Sequence, residues 1–218
     1  MKSGSQCEQS RDDYESLLSS SIGIGGFSKV YKVRHKQSKM IYAIKVISKQ
    51  KILQKNLTHQ IRLEVDIQYK LDHDHILKLY DHFEDDTNIY LVLQYCGKGQ
   101  LYQMVKREGR IEEKQAAQYI WELIQAMQYM HSKHFVIHRD IKPENILIDE
   151  SGSIRLADFG WSNYFEFKQP RFSYCGTPEY LAPEMIRKEG HTTDIDYWNL
   201  GVLIYELLCG SPPFEGKS

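Results

Sequence analysis

A run of eight residues in the second half of the chain constrains its fold and chemistry more than any other feature. Residues 138–145 read His-Arg-Asp-Ile-Lys-Pro-Glu-Asn, followed by Asp-Phe-Gly at 158–160 and Ala-Pro-Glu at 182–184. In such a set, one carboxylate can accept a hydroxyl proton, a lysine can neutralise phosphate charge, and an asparagine and a second aspartate can hold Mg²⁺. A polar loop between two strands is the alternative interpretation, but chance would rarely bring these residue types together. The set therefore predicts a site that handles phosphate.

The size and charge of the chain exclude several classes of protein. Its 218 residues allow one or two domains with a sizeable core. A formal net charge of -1 gives no overall attraction to nucleic acid or to membranes, so we expect neither as a partner. The start of the chain is polar, and no run reaches the roughly 18 apolar residues of a membrane span.

The cysteines indicate a reducing compartment. Four cysteines lie far apart and form no Cys-x-x-Cys pair, namely Cys7, Cys96, Cys175 and Cys209. This spacing argues against a disulfide framework and against a zinc site. We therefore expect a cytoplasmic or nuclear protein.

Hydrophobic patterns indicate a strand-rich first part and a helical second part. Strands rich in β-branched and aromatic residues are predicted at 30–33, 41–47, 76–83 and 89–93, with a hairpin-type turn at 85–88 between the last two. An amphipathic helix is predicted at 56–71. Residues 97–99, Gly-Lys-Gly, indicate a boundary. Beyond it, apolar residues from Ala116 to Met130 recur every three or four positions, which predicts a helix with one buried face. Two short strands are predicted around 146–149 and 154–157.

A glycine-rich segment at 23–30 provides a second candidate for phosphate binding. Glycines allow backbone N–H groups to approach phosphate oxygens closely, although a plain hairpin turn would explain this segment alone equally well. Lys45 lies 22 residues after Gly23, on the next predicted strand but one, where it can reach the α- and β-phosphates. Glu64 on the predicted helix is the best anion to hold Lys45, and a solvated helix face is its alternative interpretation.

Taken in order, these motifs resemble the protein kinases from about Ser21 to Phe214. Lys142 and the sequence Gly-Thr-Pro-Glu-Tyr at 176–180 resemble the serine/threonine type. Trp-Ser after the Asp-Phe-Gly motif, and Gln68 one helical turn after Glu64, are similar to the Aurora kinases. The polo-like and other basophilic kinases are the second choice.

The resemblance implies an α+β, bilobal fold. A polar tail is expected at 1–18, a small antiparallel β-sheet lobe with one main helix at 19–96, and a mainly helical, incomplete larger lobe at 97–218. The apolar residues between Ile195 and Leu208 cover nearly every side of one helix, which is typical of a buried helix. The kinase pattern places further helices against it, so we expect an exposed apolar patch on this chain.

The resemblance also assigns roles to residues. Asp140 is expected to accept or orient the substrate hydroxyl, with Lys142 beside the γ-phosphate and Lys45 and Glu64 acting as a pair. Asn145 and Asp158 are the expected Mg²⁺ ligands. The residues expected to bind ATP are Ile22, Gly23, Gly25, Val30, Ala43, Lys45, Leu93, Gln94, Cys96, Glu144, Asn145, Leu147 and Asp158. Leu93 would be the gatekeeper, with Gln94 and Cys96 in the hinge, and core packing is the alternative for the apolar members.

The implied function is transfer of the ATP γ-phosphate to serine or threonine hydroxyls of proteins, with a role in mitosis and chromosome segregation. Glu144 would attract a basic residue before the target, and an activator protein would dock on the small lobe. Association with the spindle, the centrosome or chromosomes follows from the same resemblance. The alternative is a catalytically impaired, truncated kinase that binds nucleotide or partners.

Three positions depart from the kinase pattern. Ser28 replaces the third glycine of the glycine-rich segment, and Asn199 replaces a common serine. Leu63 stands where Aurora kinases carry an arginine that helps to bind a phosphate between the Asp-Phe-Gly and Ala-Pro-Glu motifs. We therefore expect a weaker phosphate clamp in this chain.

Ser173 matches the position of the activating phosphorylation site in the family, and an ordinary exposed serine is the alternative. A phosphate there would add about −1.5 to −2 charge, which Arg139 and Arg171 could bind. We expect Ser173→Ala to lower the rate of phosphoryl transfer and to leave nucleotide affinity nearly unchanged. The two are measured by a transfer assay and a nucleotide titration. Equal rates for variant and parent, with the parent shown to be phosphorylated, would contradict this expectation.

Overall fold

The structure is a computed structural model that describes residues 10–18, 21–165 and 176–214. Its strands are β1 (Tyr14–Ser16), β2 (Gly23–Ile24), β3 (Ser28–His35), β4 (Ile41–Ser48), β5 (Leu79–Glu84), β6 (Asn88–Gln94), β7 (Gly99–Gln100), β8 (Val136–Ile137), β9 (Ile146–Ile148), β10 (Ile154–Leu156) and β11 (Asn163–Tyr164). Its α-helices are α1 (Lys49–Gln54), α2 (Thr58–Lys70), α3 (Leu101–Glu108), α4 (Glu113–Tyr129), α5 (Pro183–Ile186) and α6 (Asp194–Cys209). Short 3-10 turns lie at Arg11–Asp13, Pro143–Asn145 and Pro178–Tyr180, and a π-helical turn lies at Met130–His134.

Contacts divide the described residues into two units. The first contains the described residues up to Thr58 together with Leu79–Tyr95, and the second contains His59–Lys78 and the described residues from Cys96 onward. The sequence predicts a small lobe over 19–96, whereas α2 groups with the second unit. The physical reason is packing, because Ile67 of α2 and Leu71 directly after the helix are buried in the core of the second unit.

The first unit is an antiparallel sheet with strand order β1-β3-β4-β6-β5, and β2 pairs with β3. Its β-branched and aromatic side chains suit a pleated, half-buried surface. The turn between β5 and β6 forms because Oδ1 of Asp85 accepts hydrogen bonds from the amides of Thr87 and Asn88, both at 2.7 Å. The hairpin-type turn predicted at 85–88 is therefore present.

The first strand corrects the predicted tail over residues 1–18. Residues Tyr14–Ser16 form β1, which pairs with β3 through the Tyr14 to His35 register. The Tyr14 ring stacks on Phe83 with centroids 6.2 Å apart, and it meets Tyr42 edge-on. Burial of this aromatic ring attaches β1 to the sheet. Because the residues around Tyr14 are mostly polar, the sequence pattern does not indicate this strand.

The second unit consists of helices and two small sheets. Strands β10, β9 and β7 form one sheet, and β11 pairs with β8 in the other. The buried face predicted over residues 116–130 lies in the core, as expected from its spacing. Its buried members are Ala116, Tyr119, Leu123 and Met127 of α4 and Met130 of the π-helical turn. No helix among the described residues is long and apolar enough to cross a membrane.

Helix α6 is buried on one side within the described part of the chain. Ile195, Leu203 and Leu207 are almost fully buried, while Tyr197 and Tyr205 are about half exposed. Ile204 and Leu208 also remain more than one-third exposed. This side of α6 is part of the exposed apolar surface that the sequence predicts.

The end of α6 depends on a close approach of two glycines. Gly210 ends the helix with a φ of 89°, and its amide donates to the carbonyl of Glu206 at 2.7 Å. A Cβ on Gly210 would overlap the carbonyl oxygen of Gly109, which follows α3. Both the left-handed backbone and this contact therefore require glycine at 210.

We expect Gly210→Ala to lower the free energy of unfolding by roughly 2–5 kcal/mol, combining left-handed strain with overpacking. Gly201→Ala is the matched control, because nothing lies within 4 Å of its added Cβ and it lies inside α6. That change should be neutral or stabilising by about 1 kcal/mol. Denaturant unfolding measures both variants, and equal effects would refute the close-approach argument.

Candidate active site

The loop at 138–145 lies between β8 and β9 of the second unit and is held by a buried carboxylate. Asp196 of α6 is fully buried and accepts hydrogen bonds from two consecutive amides, His138 at 2.9 Å and Arg139 at 2.8 Å. It also contacts Nε2 of His131 at 2.8 Å. Arg139 has a φ of 71°, a conformation that costs energy for a residue other than glycine, so the Asp196 bonds stabilise an unfavourable loop shape.

The environment of Asp196 keeps it ionised. Burial alone raises the pKa of this carboxyl, but the hydrogen bond and charge of His131 and the amide of His138 outweigh burial, so the pKa lies below its usual value. An ionised carboxylate accepts hydrogen bonds without competing as a donor. The carboxylate is therefore a fixed acceptor behind the loop.

Four polar side chains meet at the front of the loop. Nζ of Lys142 lies 3.0 Å from Oδ2 of Asp140 and donates to Oγ1 of Thr177 at 2.6 Å. The Thr177 hydroxyl donates to Oδ1 of Asp140 at 2.9 Å. Nδ2 of Asn145 donates to Oδ2 of Asp140 at 2.9 Å and to its backbone carbonyl at 2.8 Å. Asp140 is only 4% exposed, so its carboxylate is held rigidly by these donors.

The structure brings together Asp140, Lys142 and Asn145, which the sequence singles out. It adds Thr177, whose sequence neighbours indicate only the type of kinase and not a place in the site. Thr177 lies 37 residues from Asp140 in the chain, and their contact follows from the tertiary fold. The only sequence signal for it is its place in the Gly-Thr-Pro-Glu-Tyr segment.

Asp158 is placed next to this loop by the backbone. The amide of Ala157 donates to the carbonyl of Asn145 at 2.8 Å, and Nε2 of His138 contacts the Ala157 carbonyl oxygen at 3.1 Å. Asp158 has a φ of 61° and is exposed, while Phe159 is fully buried in the core beside His138. Burial of Phe159 therefore anchors the segment while the adjacent carboxylate stays accessible.

The donor set fits a hard cation. Because Nδ2 of Asn145 donates to Asp140, its Oδ1 is the amide atom left for a ligand. Together with the exposed carboxylate of Asp158, this gives oxygen ligands of the kind that Mg²⁺ prefers.

Helix α2 faces the Asp-Phe-Gly segment. Glu64 is 3% exposed, and a Cβ added to Gly160 would lie 3.5 Å from its Oε2. Nε2 of Gln60 donates to the backbone carbonyl of Gly160. Glu64 is therefore a buried carboxylate against the glycine of that motif, and the solvated helix face considered from the sequence does not describe it.

Several predicted nucleotide residues share one face of the sheet in the first unit. Val30 lies opposite Lys45, and Ala43 lies opposite Leu93 on the neighbouring strand. Residues two apart on one strand point to the same side, so Lys45 and Ala43 face the same way. Gly23 pairs with Val30, the amide of Gly25 donates to Ser28 at 2.9 Å, and Ile22 is 45% exposed.

The remaining predicted site residues are distributed over both units. Gln94 ends β6, whereas Cys96 belongs to the second unit, where burial raises the pKa of its thiol to about 12. Leu147 lies in β9, and the carbonyl of Glu144 accepts from Gln100 at 3.0 Å.

Of the three predicted regulatory residues, one lies in the described part of the chain. Nε of Arg139 donates to the carbonyl of Trp161 at 2.6 Å, and this arginine is 7% exposed. Ser173 and Arg171 lie outside the described residues.

Comparison with known proteins supports this reading of the fold and loop. The family profile described as "Protein kinase domain" matches residues 17–218. The chain therefore belongs to the protein kinase family.

Curated relatives narrow the class to Aurora-like serine/threonine kinases. An Aurora kinase of Schizosaccharomyces pombe is 46% identical over 90% of this chain and 55% of its own length. Aurora kinase B of Danio rerio is 42% identical over 95% of this chain and 63% of its own length. Aurora kinase C of Mus musculus is 45% identical over 90% of this chain and 71% of its own length. The chain spans about half the length of the first relatives it matches.

We expect Asp196→Asn to lower the free energy of unfolding by about 3–5 kcal/mol, because it breaks a buried charged hydrogen-bond network. Asp194→Asn, an exposed change in the first turn of the same helix, should cost about 1 kcal/mol or less. Denaturant unfolding at neutral pH measures both, and equal losses would contradict the anchoring role.

The pH dependence of this difference has a definite sign. The pKa of Asp196 is lowered in the folded chain, so its contribution is present above an unfolded pKa of about 3.9 and is lost as pH falls through the folded pKa. The difference in the free energy of unfolding between parent and Asp196→Asn should therefore become smaller only below about pH 4.

Proposed function

We propose that this chain transfers the γ-phosphate of ATP to serine or threonine hydroxyls of protein substrates. The observation that supports it best is the cluster of Asp140, Lys142, Asn145 and Thr177, in which two hydrogen bonds and a lysine ammonium at 3.0 Å hold one buried carboxylate. Phosphoryl transfer passes through a loose transition state that demands positioning and charge neutralisation more than a strong base. A rigid carboxylate next to a lysine meets both demands.

Each residue of the cluster has a proposed part. Asp140 accepts a hydrogen bond from the substrate hydroxyl, aligns it and accepts its proton. The hydroxyl oxygen bonds to the γ-phosphorus as the bond between that phosphorus and the bridging oxygen breaks, and ADP leaves with that oxygen. Lys142, within reach of Asp140 and Thr177, supplies positive charge to the transferred phosphate. Asn145 and Asp158 would hold Mg²⁺, which when bound neutralises charge on the β- and γ-phosphates.

The first unit supplies the proposed nucleotide residues. Gly23 and Gly25 lie in and beside a tight turn whose backbone amides can approach phosphate, and Val30, Ala43 and Leu93 offer apolar contacts for adenine. Pairing of Lys45 with Glu64 stays a prediction. The same holds for Ile22, Gln94, Cys96, Glu144 and Leu147 as nucleotide contacts.

The finer assignments follow from the resemblance to Aurora kinases. We propose protein substrates with a basic residue before the target, recognised by Glu144, and an activator protein that docks on the first unit. Phosphorylation of Ser173, bound by Arg139 and Arg171, would raise activity. A mitotic role at the spindle, the centrosome or chromosomes belongs to the same proposal.

A transfer assay with radiolabelled Mg-ATP and a basic serine peptide tests the proposed activity. We expect Asp140→Asn to lower kcat by about 10²–10⁴-fold, because it removes the general base while leaving the loop in place. Nucleotide affinity should change little, whereas Asp158→Ala should weaken Mg²⁺-dependent nucleotide binding. Asp86→Asn, an exposed residue of the β5–β6 turn, is the matched control and should match the parent.

Two outcomes would contradict the proposal. A folded parent that binds Mg-ATP without transferring phosphate would instead be a nucleotide-binding module. Equal transfer by the parent and Asp140→Asn would remove Asp140 from the reaction.

A further inference from the structure

Three side chains connect the exposed edge of α2 to strand β11, and we call them the Tyr164 cluster. The hydroxyl of Tyr164 donates to Oδ2 of Asp66 at 2.8 Å. Nζ of Lys70 lies 2.9 Å from the Asp66 carboxylate and donates to the Tyr164 hydroxyl at 3.2 Å. The same ammonium lies 5.5 Å from the centroid of the Tyr164 ring. The cluster consists of Asp66, Lys70 and Tyr164, all within the second unit.

Strand β11 is a firm point of attachment. Tyr164 pairs with Val136 of β8, and Val136 is buried two residues before the loop at 138–145. The partly buried ring of Tyr164 packs against the main core of the second unit. The phenol therefore projects from a fixed strand, four residues after Gly160.

Helix α2 carries three stripes of residues, since successive residues turn by about 100°. An apolar stripe of Leu63 and Ile67, continued by Leu71 directly after the helix, packs on or lies in the core. On one side of it lie Gln60, Glu64 and Gln68, and on the other side lie Asp66 and Lys70.

The first polar stripe has its own attachments. Gln60 donates to the carbonyl of Gly160, and Gln68 donates to the carbonyl of Leu77 at 3.1 Å. These bonds attach one side of α2 to its neighbours. The side that carries Asp66 and Lys70 is exposed and has a different attachment.

The Tyr164 cluster attaches that exposed side of α2 to strand β11. Asp66 and Lys70 form an i,i+4 ion pair with side chains 48% and 55% exposed, and such a pair alone stabilises little. The Tyr164 hydroxyl adds to this stabilisation, because Tyr164 belongs to β11 and donates a hydrogen bond directly to the Asp66 carboxylate. Hydrogen bonds from Lys70 and then Tyr164 lower the pKa of Asp66, so the acceptor stays ionised.

We propose that Tyr164 is a positioning residue whose hydroxyl, through Asp66, fixes the rotation of α2 about its axis and thereby the direction in which Glu64 points. Glu64 lies on the stripe opposite the cluster, so a turn of the helix moves it relative to Gly160. The consequence for catalysis rests on the proposed phosphoryl transfer. The mechanical part of the proposal, which is that Tyr164 fixes the rotation of α2, does not depend on that function.

Amide hydrogen exchange tests the mechanical part on the whole chain. Tyr164→Phe removes only the hydroxyl and keeps the ring on the core. We expect the amides of α2 to exchange about threefold to tenfold faster, the effect of losing one partly exposed bond to a charged group, with α4 unchanged. Tyr205→Phe, the same change on the half-exposed side of α6, should leave α2 exchange unchanged.

Variants at Asp66 test whether the Tyr164 hydroxyl acts through this carboxylate. Asp66→Ala should accelerate exchange in α2 as Tyr164→Phe does, and the double variant should add little, because both changes break one interaction. Asp66→Asn retains an acceptor and should restore part of the protection. Full additivity of the two changes, or unchanged α2 exchange in a folded Tyr164→Phe, would overturn the proposal.

A kinetic measurement separates positioning from general stability. If the chain transfers phosphate as proposed, Tyr164→Phe should lower kcat about threefold to tenfold in proportion to the exchange effect. The KM for the peptide should stay the same, since Asp140 and not α2 holds the substrate hydroxyl. Equal kcat for variant and parent would remove the catalytic consequence. A parent without any transfer activity would refute the proposed function, while the exchange result would still decide the role of Tyr164.

Discussion

The buried carboxylate of Asp196 is the interaction on which the candidate site depends. It joins α6 to a loop 57 residues earlier in the chain through the amides of His138 and Arg139. A loop with a left-handed residue at Arg139 is strained, and hydrogen bonds to a desolvated charge are strong enough to offset a cost of about 1–3 kcal/mol. The position of Asp140, directly after Arg139, is therefore set by a helix that contributes no group to the chemistry.

His138 extends this arrangement to the second acidic residue of the site. Its ring contacts the carbonyl of Ala157 and packs edge-on against Phe159, with centroids 5.0 Å apart. Asp158 lies between these two contacts with a positive φ, so both residues beside it are held. One histidine thus relates the loop of Asp140 to the segment of Asp158, and the two carboxylates cannot shift independently without breaking buried contacts.

Local patterns in the sequence predict much of this molecule, and long-range contacts account for the rest. The periodic face of α4 and the turn at 85–88 are readable because their determinants lie within a few residues. The role of Asp196 cannot be predicted in this way, because Asp196 lies in a helix whose sequence pattern is dominated by apolar residues. Thr177 and Tyr14 are missed for the same reason, since each acts through a partner at least 21 residues away along the chain.

The hydrogen bonds around Asp140 also limit where a substrate hydroxyl can bind. An ionised carboxylate offers about four acceptor positions, two on each oxygen. Oδ2 accepts from Asn145 and lies 3.0 Å from the Lys142 ammonium, while Oδ1 accepts from Thr177. Within the described part of the chain, Oδ1 is therefore the oxygen with fewer polar contacts. If the proposed transfer is correct, the acceptor hydroxyl binds beside Thr177. The segment that begins at Gly176 would then position the substrate as well as brace the carboxylate.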